Sequence, residues 1–129
     1  MHAHTTHASL LARLVDHEDR SAWDEFLARY SALLRGFARR RGLSSHEADD
    51  VVQDVVTALV SALPTFEYDR ERGRFRGLLK TIAVRAIARR REKDARSAPL
   101  GDRDVAVDPE ADDAWETEWR QYHMRLAMR

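Results

Sequence analysis

Residues 47–56 read EADDVVQDVV, four carboxylates and one amide threaded through four valines. On a helix, Asp50, Gln53, Asp54 and Thr57 fall at i, i+3, i+4 and i+7, a single polar ridge, while the valines take the other side. Two carboxylates one turn apart repel by roughly 0.2–0.5 kcal/mol, so the isolated helix gains nothing from the pairing. Three readings are open. The ridge is a solvated face; or it is a metal site, since His46 and Asp50 also stand at i, i+4, although no second cluster of ligands converges on them in the sequence; or it is a docking ridge. In the last case the carboxylates pair with arginine or lysine of a partner and the Gln53 amide fixes the register.

The opposite charge is gathered further on. Residues 69–96 hold eleven Lys/Arg against four Asp/Glu, and residues 102–118 hold eight Asp/Glu against one Arg, although the formal net charge is zero. Arg70, Arg72, Arg74, Arg76, Lys80, Arg85, Arg89, Arg90, Arg91 and Lys93 surround a segment with one apolar face. Opposite that face run the modest residues Gly77, Thr81, Val84 and Ala88, a strip on which a phosphate backbone can come close while arginines grip it from the edges. Phe66 and Tyr68 precede the segment, either as loop packing or as aromatics on which an unpaired base can stack. Clustered arginines, small residues and aromatics together point to nucleic acid. No nucleophile–base pair, phosphate-cradling glycine loop or metal motif stands out, so neither an enzyme nor a cofactor is expected.

The elements that must carry these residues are helical. Leu10, Leu11, Leu14 and Val15 give a short helix over Ser9–Asp16, after a flexible N-terminus (1–8) with His2, His4 and His7. Residues 21–42 give a long helix with Trp23, Phe26, Leu27, Tyr30, Leu33, Leu34 and Phe37 on one face. Ser21 and Asp24 read as its capping box, and Gly42 as its left-handed stop. Ser44 and Glu47 form a second capping box, for a helix packed through Ala48, Val51, Val52, Val55, Leu59 and Ala62 and ended by Pro64. A third long helix follows from Arg74, with Phe75, Leu78, Leu79, Ile82 and Ala86 inward. Residues 96–108 read as a polar linker. Asp108 and Pro109 open a last helix, 109–129, with Trp115, Trp119, Tyr122 and Leu126. The expected fold is all-α, a bundle of about four main helices with an acidic linker and a C-terminal helix.

Composition agrees with that class. Five glycines, three prolines and 34% charged residues favour helix over sheet. The absence of cysteine rules out disulfides and thiolate metal sites and fits a reducing cytoplasm. No apolar run approaches the ~20 residues of a membrane helix, and the first residues lack the pattern of a signal peptide.

The ordered run GLSSHEADDVVQDVVTALVSALPTFEYDRERGRFRGLLKTIA, with its F-x-Y-D-x-x-R-G-x-F-R-G stretch, resembles domain two of bacterial RNA polymerase sigma factors, in particular the extracytoplasmic-function class. The resemblance covers about residues 10–95. It implies that the third helix docks on a coiled coil of the largest subunit of core RNA polymerase through Asp49, Asp50, Gln53, Asp54 and Thr57. It implies that the following loop and helix open the promoter and hold the single-stranded non-template minus-ten element. The candidate DNA contacts are Phe66, Tyr68, Arg72, Arg74, Arg76, Lys80, Thr81, Arg85 and Arg89. Leu78 stands where many relatives carry Trp, and Arg85 where many carry Asn near the pocket for a flipped base. The resemblance also makes an anti-sigma factor a possible partner. Residues 115–129 resemble the lead-in to a second DNA-binding domain, which would begin where the sequence stops at Arg129. Two other functions are compatible with the residues: a sigma-like interaction protein that binds polymerase or an anti-sigma factor without opening promoters, and a nucleic-acid-binding helical module that uses the arginines alone.

Overall fold

In the computed structural model, which describes residues 6–65, 73–95 and 109–128, every main element is a helix. They are α1 (Thr6–Leu14), α2 (Arg20–Arg40), α3 (Ser45–Ala62), α4 (Gly73–Ala95) and α5 (Pro109–Ala127), with a 3-10 turn at Leu63–Thr65 after α3. The fold is an all-α bundle without strands among the described residues. No helix among them is long and apolar enough to cross a membrane.

The centre is α2. Its buried Trp23, Phe26, Tyr30, Leu33, Leu34 and Phe37 recur at three and four, so one stripe faces α3, α4 and α5 in turn. The helix stops where the chain adopts a positive φ of 96° at Gly42. The Gly42 N–H donates to Arg39 O (3.0 Å) and the Leu43 N–H to Ala38 O (3.1 Å), closing the last turn. Ser44 then starts α3 at once. The Glu47 N–H donates to Ser44 Oγ (3.1 Å) and the Ser44 N–H to Glu47 Oε1 (2.8 Å), the reciprocal box expected from the sequence. So short a connection forces α2 and α3 into a hairpin, sealed by buried Ala48, Val51, Val52, Val55 and Leu59.

Helix α4 closes the bundle through Phe75, Leu79, Ile82, Ala83, Ala86 and Ile87. Phe75 meets Tyr30 edge to face, with ring centroids 5.9 Å apart. Helix α5 runs antiparallel to α2: Trp115 packs on Phe37 (5.1 Å) and Tyr122 on Tyr30 (5.2 Å). Full burial of each such side chain is worth roughly 1.5–3 kcal/mol, so α5 belongs to the core. Burial is not wholly favourable, because the Trp115 indole N–H has no acceptor among the described residues.

Several local expectations are corrected. Asp19, not Ser21, caps α2: the Ala22 N–H donates to Asp19 Oδ1 at 3.0 Å, and no box forms with Asp24. Ser21 Oγ instead accepts from the Arg13 guanidinium (3.2 Å), which also pairs with Asp19 and Glu25. Helix α1 begins three residues earlier than expected and ends at Leu14, leaving Val15 exposed. Leu78 is half-buried because α4 turns Leu79 and Ala83 inward in its place. Leu126 is exposed because the buried stripe of α5 runs through Ala111, Trp115, Glu118 and Tyr122 and ends there.

Candidate functional site

The acidic ridge lies on α3 as the spacing requires, and its charges are already in use. Arg90, near the end of α4, reaches back to the ridge: its Nη1 donates to Asp50 Oδ2 (3.3 Å) and its Nη2 to Asp54 Oδ2 (3.5 Å). One guanidinium thus bridges two carboxylates that would otherwise repel. The contact brings the last turns of α4 against the first turns of α3. Asp49 stands apart, exposed, with Arg35 at 3.6 Å. Gln53 and Thr57 are exposed, and the Thr57 hydroxyl donates to Gln53 O at 3.1 Å. His46 Nε2 lies 3.8 Å from Asp50 Oδ2, and among the described residues no cluster of three or more metal-ligating side chains forms.

Six of the cations of α4, from Arg76 to Arg91, divide into three sets. Arg90 serves α3, and Arg91 donates to the Arg41 carbonyl at the α2–α3 turn. Arg76 and Lys80, one turn apart, pair with Glu116 and Asp112 of α5, and the Arg76 guanidinium lies 4.7 Å from the centre of the Trp119 ring. Arg85 and Arg89, again one turn apart, are exposed and make no ion pair among the described residues. Thr81, Gly77 and Ala88 are exposed as well, and a Cβ added at Gly77 would meet nothing within 4 Å. Arg74 stands in the first turn of α4, while Phe66, Tyr68 and Arg72 lie outside the described residues, as does the linker 96–108.

An open polar groove runs between α3 and α4, with Asp54, Thr57 and Ser61 on one wall and Arg89, Arg90 and Glu92 on the other. It brings the end of the acidic ridge beside Arg89, which makes no ion pair among the described residues. The two charged surfaces that the sequence separates by more than thirty residues therefore share a border.

Sequence reasoning missed three features. The bridging role of Arg90 was hidden among nine other cations. The second was the anchorage of α5: Glu118 is buried, its carboxylate sits over Gly36, and the Arg40 Nε donates to it at 2.6 Å. A Cβ built at Gly36 would overlap that carboxylate. A glycine in a helix interior costs about 0.5–1 kcal/mol relative to alanine, and that cost was the available signal of a close approach. The third was the match of Asp112 and Glu116 to Lys80 and Arg76.

With this geometry in place, residues 26–97 match the family model of sigma-70 region 2. The matched stretch spans more than half of the chain, from α2 through the end of α4, and the chain belongs to that family. It is therefore a sigma factor region, a class connected with transcription initiation and its regulation and not a family of enzymes. Comparison with curated proteins and with solved structures returned no match.

Proposed function

We propose that this chain is the polymerase-docking and promoter-opening module of an extracytoplasmic-function sigma factor, with residues 9–95 as the working unit. The observation that carries the reading is the division of charge over two adjoining helices. A carboxylate-and-amide edge on α3, with Asp49 and Gln53 exposed and Asp50 and Asp54 half-buried, suits the basic surface of a protein partner. An outward pair of arginines on α4 (Arg85, Arg89), without an ion pair among the described residues and beside a small-residue strip, suits a nucleic-acid backbone. Arg90 holds the acidic edge in position and α3 in register with α4, so a partner on one helix fixes the placement of the other. Phe66, Tyr68 and Arg72 would act on unpaired bases, each stacked base contributing roughly 1–3 kcal/mol. The chemistry of RNA synthesis stays with core polymerase, and no cofactor enters.

The test is reconstitution with core RNA polymerase and a promoter carrying a fluorescent base analogue in its minus-ten element. The expected result is co-migration with core enzyme and a fluorescence rise as strands separate. Co-migration without strand separation on any promoter supports a second reading, a sigma-like protein that occupies polymerase or an anti-sigma factor without opening DNA. One observation favours that reading: Arg76 and Lys80, two of the cations proposed to face DNA, are held by α5.

A further inference from the structure

We propose that α5 is an internal cover for the DNA-facing edge of α4, and that α5 and a single strand of nucleic acid compete for Arg76 and Lys80. The inference rests on reading α4 as a nucleic-acid surface. Asp112 and Glu116 are one helical turn apart on α5; Lys80 and Arg76 are one turn apart on α4; the helices run antiparallel, so the two carboxylates meet the two cations in register. A pair of anionic groups at this spacing occupies the cations as two backbone phosphates would. Trp119 adds an aromatic face to Arg76, at 4.7 Å, where a base would otherwise stack on the guanidinium. The neighbouring Arg85 and Arg89 are left open.

The cover is anchored somewhere else. Trp115 on Phe37, Tyr122 on Tyr30, and Glu118 between Gly36 and Arg40 all hold α5 to α2. None of these contacts uses α4. The acidic edge of α5 is thus presented to α4 by a separate attachment, and the two can be altered independently. A nucleic acid that starts on Arg85 and Arg89 and extends along the small-residue strip must displace Asp112 and Glu116 to gain the other two cations.

The experiment uses the whole chain and a short fluorescein-labelled single-stranded oligodeoxynucleotide, with binding followed by anisotropy over a salt series. The variant is Asp112→Asn with Glu116→Gln, which removes charge and keeps shape and the α2 attachment. Two released cations, each contributing about 0.7 to the salt slope on single strands, should steepen the slope by about 1.4 and tighten binding roughly fivefold or more at low salt. Arg76→Ala with Lys80→Ala should change binding little in the parent and abolish the gain in the uncovered variant. A second variant, Gly36→Ala, should loosen α5 through Glu118 and move affinity in the same direction. Unchanged affinity and slope in both uncovered forms, while Arg85→Ala with Arg89→Ala still weakens binding, overturns the cover and leaves the nucleic-acid reading intact. Binding that is absent, or that ignores Arg85 and Arg89, overturns both.

Discussion

The acidic edge of α3 and the basic edge of α4 are both charged surfaces whose groups are partly paired within the molecule, and the pairing differs in kind. On α3 the partner is Arg90, which belongs to a helix that cannot leave without taking apart the core of Phe75, Leu79 and Ile82. The carboxylates thus have their cation on a packed core helix, with Gln53 and Asp49 exposed beside them. On α4 the partners are Asp112 and Glu116, which belong to a helix attached to α2 by its own contacts. The first arrangement presets a surface, whereas the second rations one. A rigid partner that docks by shape and charge gains from preset carboxylates, because no ordering remains to be done on binding. A polyanion that must be admitted at the right moment gains from cations that are covered until it arrives.

The contrast can be broken most severely on the α3 side. Asp50→Arg with Gln53→Ala places a like charge against both Arg90 and the basic partner. Binding to core polymerase, followed by native gel shift, should fall by roughly a hundredfold or more, as like-charge juxtaposition costs several kcal/mol. Helix content by circular dichroism should remain close to the parent. A nucleic-acid module that used only its arginines would bind its target unchanged.

The attachment of α5 comes next. Arg40→Ala leaves the Glu118 carboxylate buried without its cation. Because Arg40 is itself 41% exposed, the cost should be below the 3–5 kcal/mol of a fully buried pair, about 2 kcal/mol. Hydrogen exchange should show protection lost in α5 and kept in α2, α3 and α4. Protection lost evenly through the bundle would mean that α5 is an inseparable part of it.

On the free part of α4, Arg85→Ala with Arg89→Ala should lower the salt slope for single-stranded DNA by about 1.4 and weaken binding roughly tenfold at low salt. An unchanged slope would remove these two residues from the phosphate contacts and erase the distinction between covered and uncovered cations.

The smallest effect concerns the α2–α5 contact at high pH. Burial, and then the adjacent Tyr122 hydroxyl, hold the Tyr30 phenol well above the usual tyrosine value of 10.0. In the unfolded chain Tyr30 ionises near that ordinary value. Folding therefore favours the protonated form, and stability is retained below pH 10 and lost progressively above it. Tyr30→Phe should flatten the alkaline limb of a stability–pH curve and leave the neutral range nearly unaltered apart from the lost hydroxyl contact. An identical alkaline limb in the variant would place the titrating group elsewhere.

Local rules account for what could be read from the chain alone. The stripes of α2 and α3, the stop at Gly42 and the Ser44–Glu47 box depend on residues within a few positions of one another, and all appear as the spacing requires. The start of α2 was misread because Asp19 and Ser21 are equally able caps in sequence. Arg13 reaches across from α1 to both of them, and only Asp19 keeps an oxygen on the helix N-terminus, where it accepts from the Ala22 N–H. The polar ridge on α3 was legible as a ridge, but its internal bridge to Arg90 depends on how α4 lies against it, which periodicity does not specify. The docking of α5 was less legible still. Its aromatic residues announced an apolar face, yet the position of that face depends on an absent side chain at Gly36 and a carboxylate carried at Glu118. Charges that meet across such distances in sequence look, before folding, like a linker and a basic helix with nothing to connect them.

Both surfaces can be tested together with a photo-crosslinking amino acid placed once at position 53, on the α3 edge, and once at position 81, on the small-residue strip of α4, each variant assembled with core polymerase and a minus-ten promoter fragment. Position 53 should link to the largest polymerase subunit and not to DNA, and position 81 to the non-template strand. Links to DNA from position 53, or links from position 81 to protein alone, would contradict the division of labour between α3 and α4.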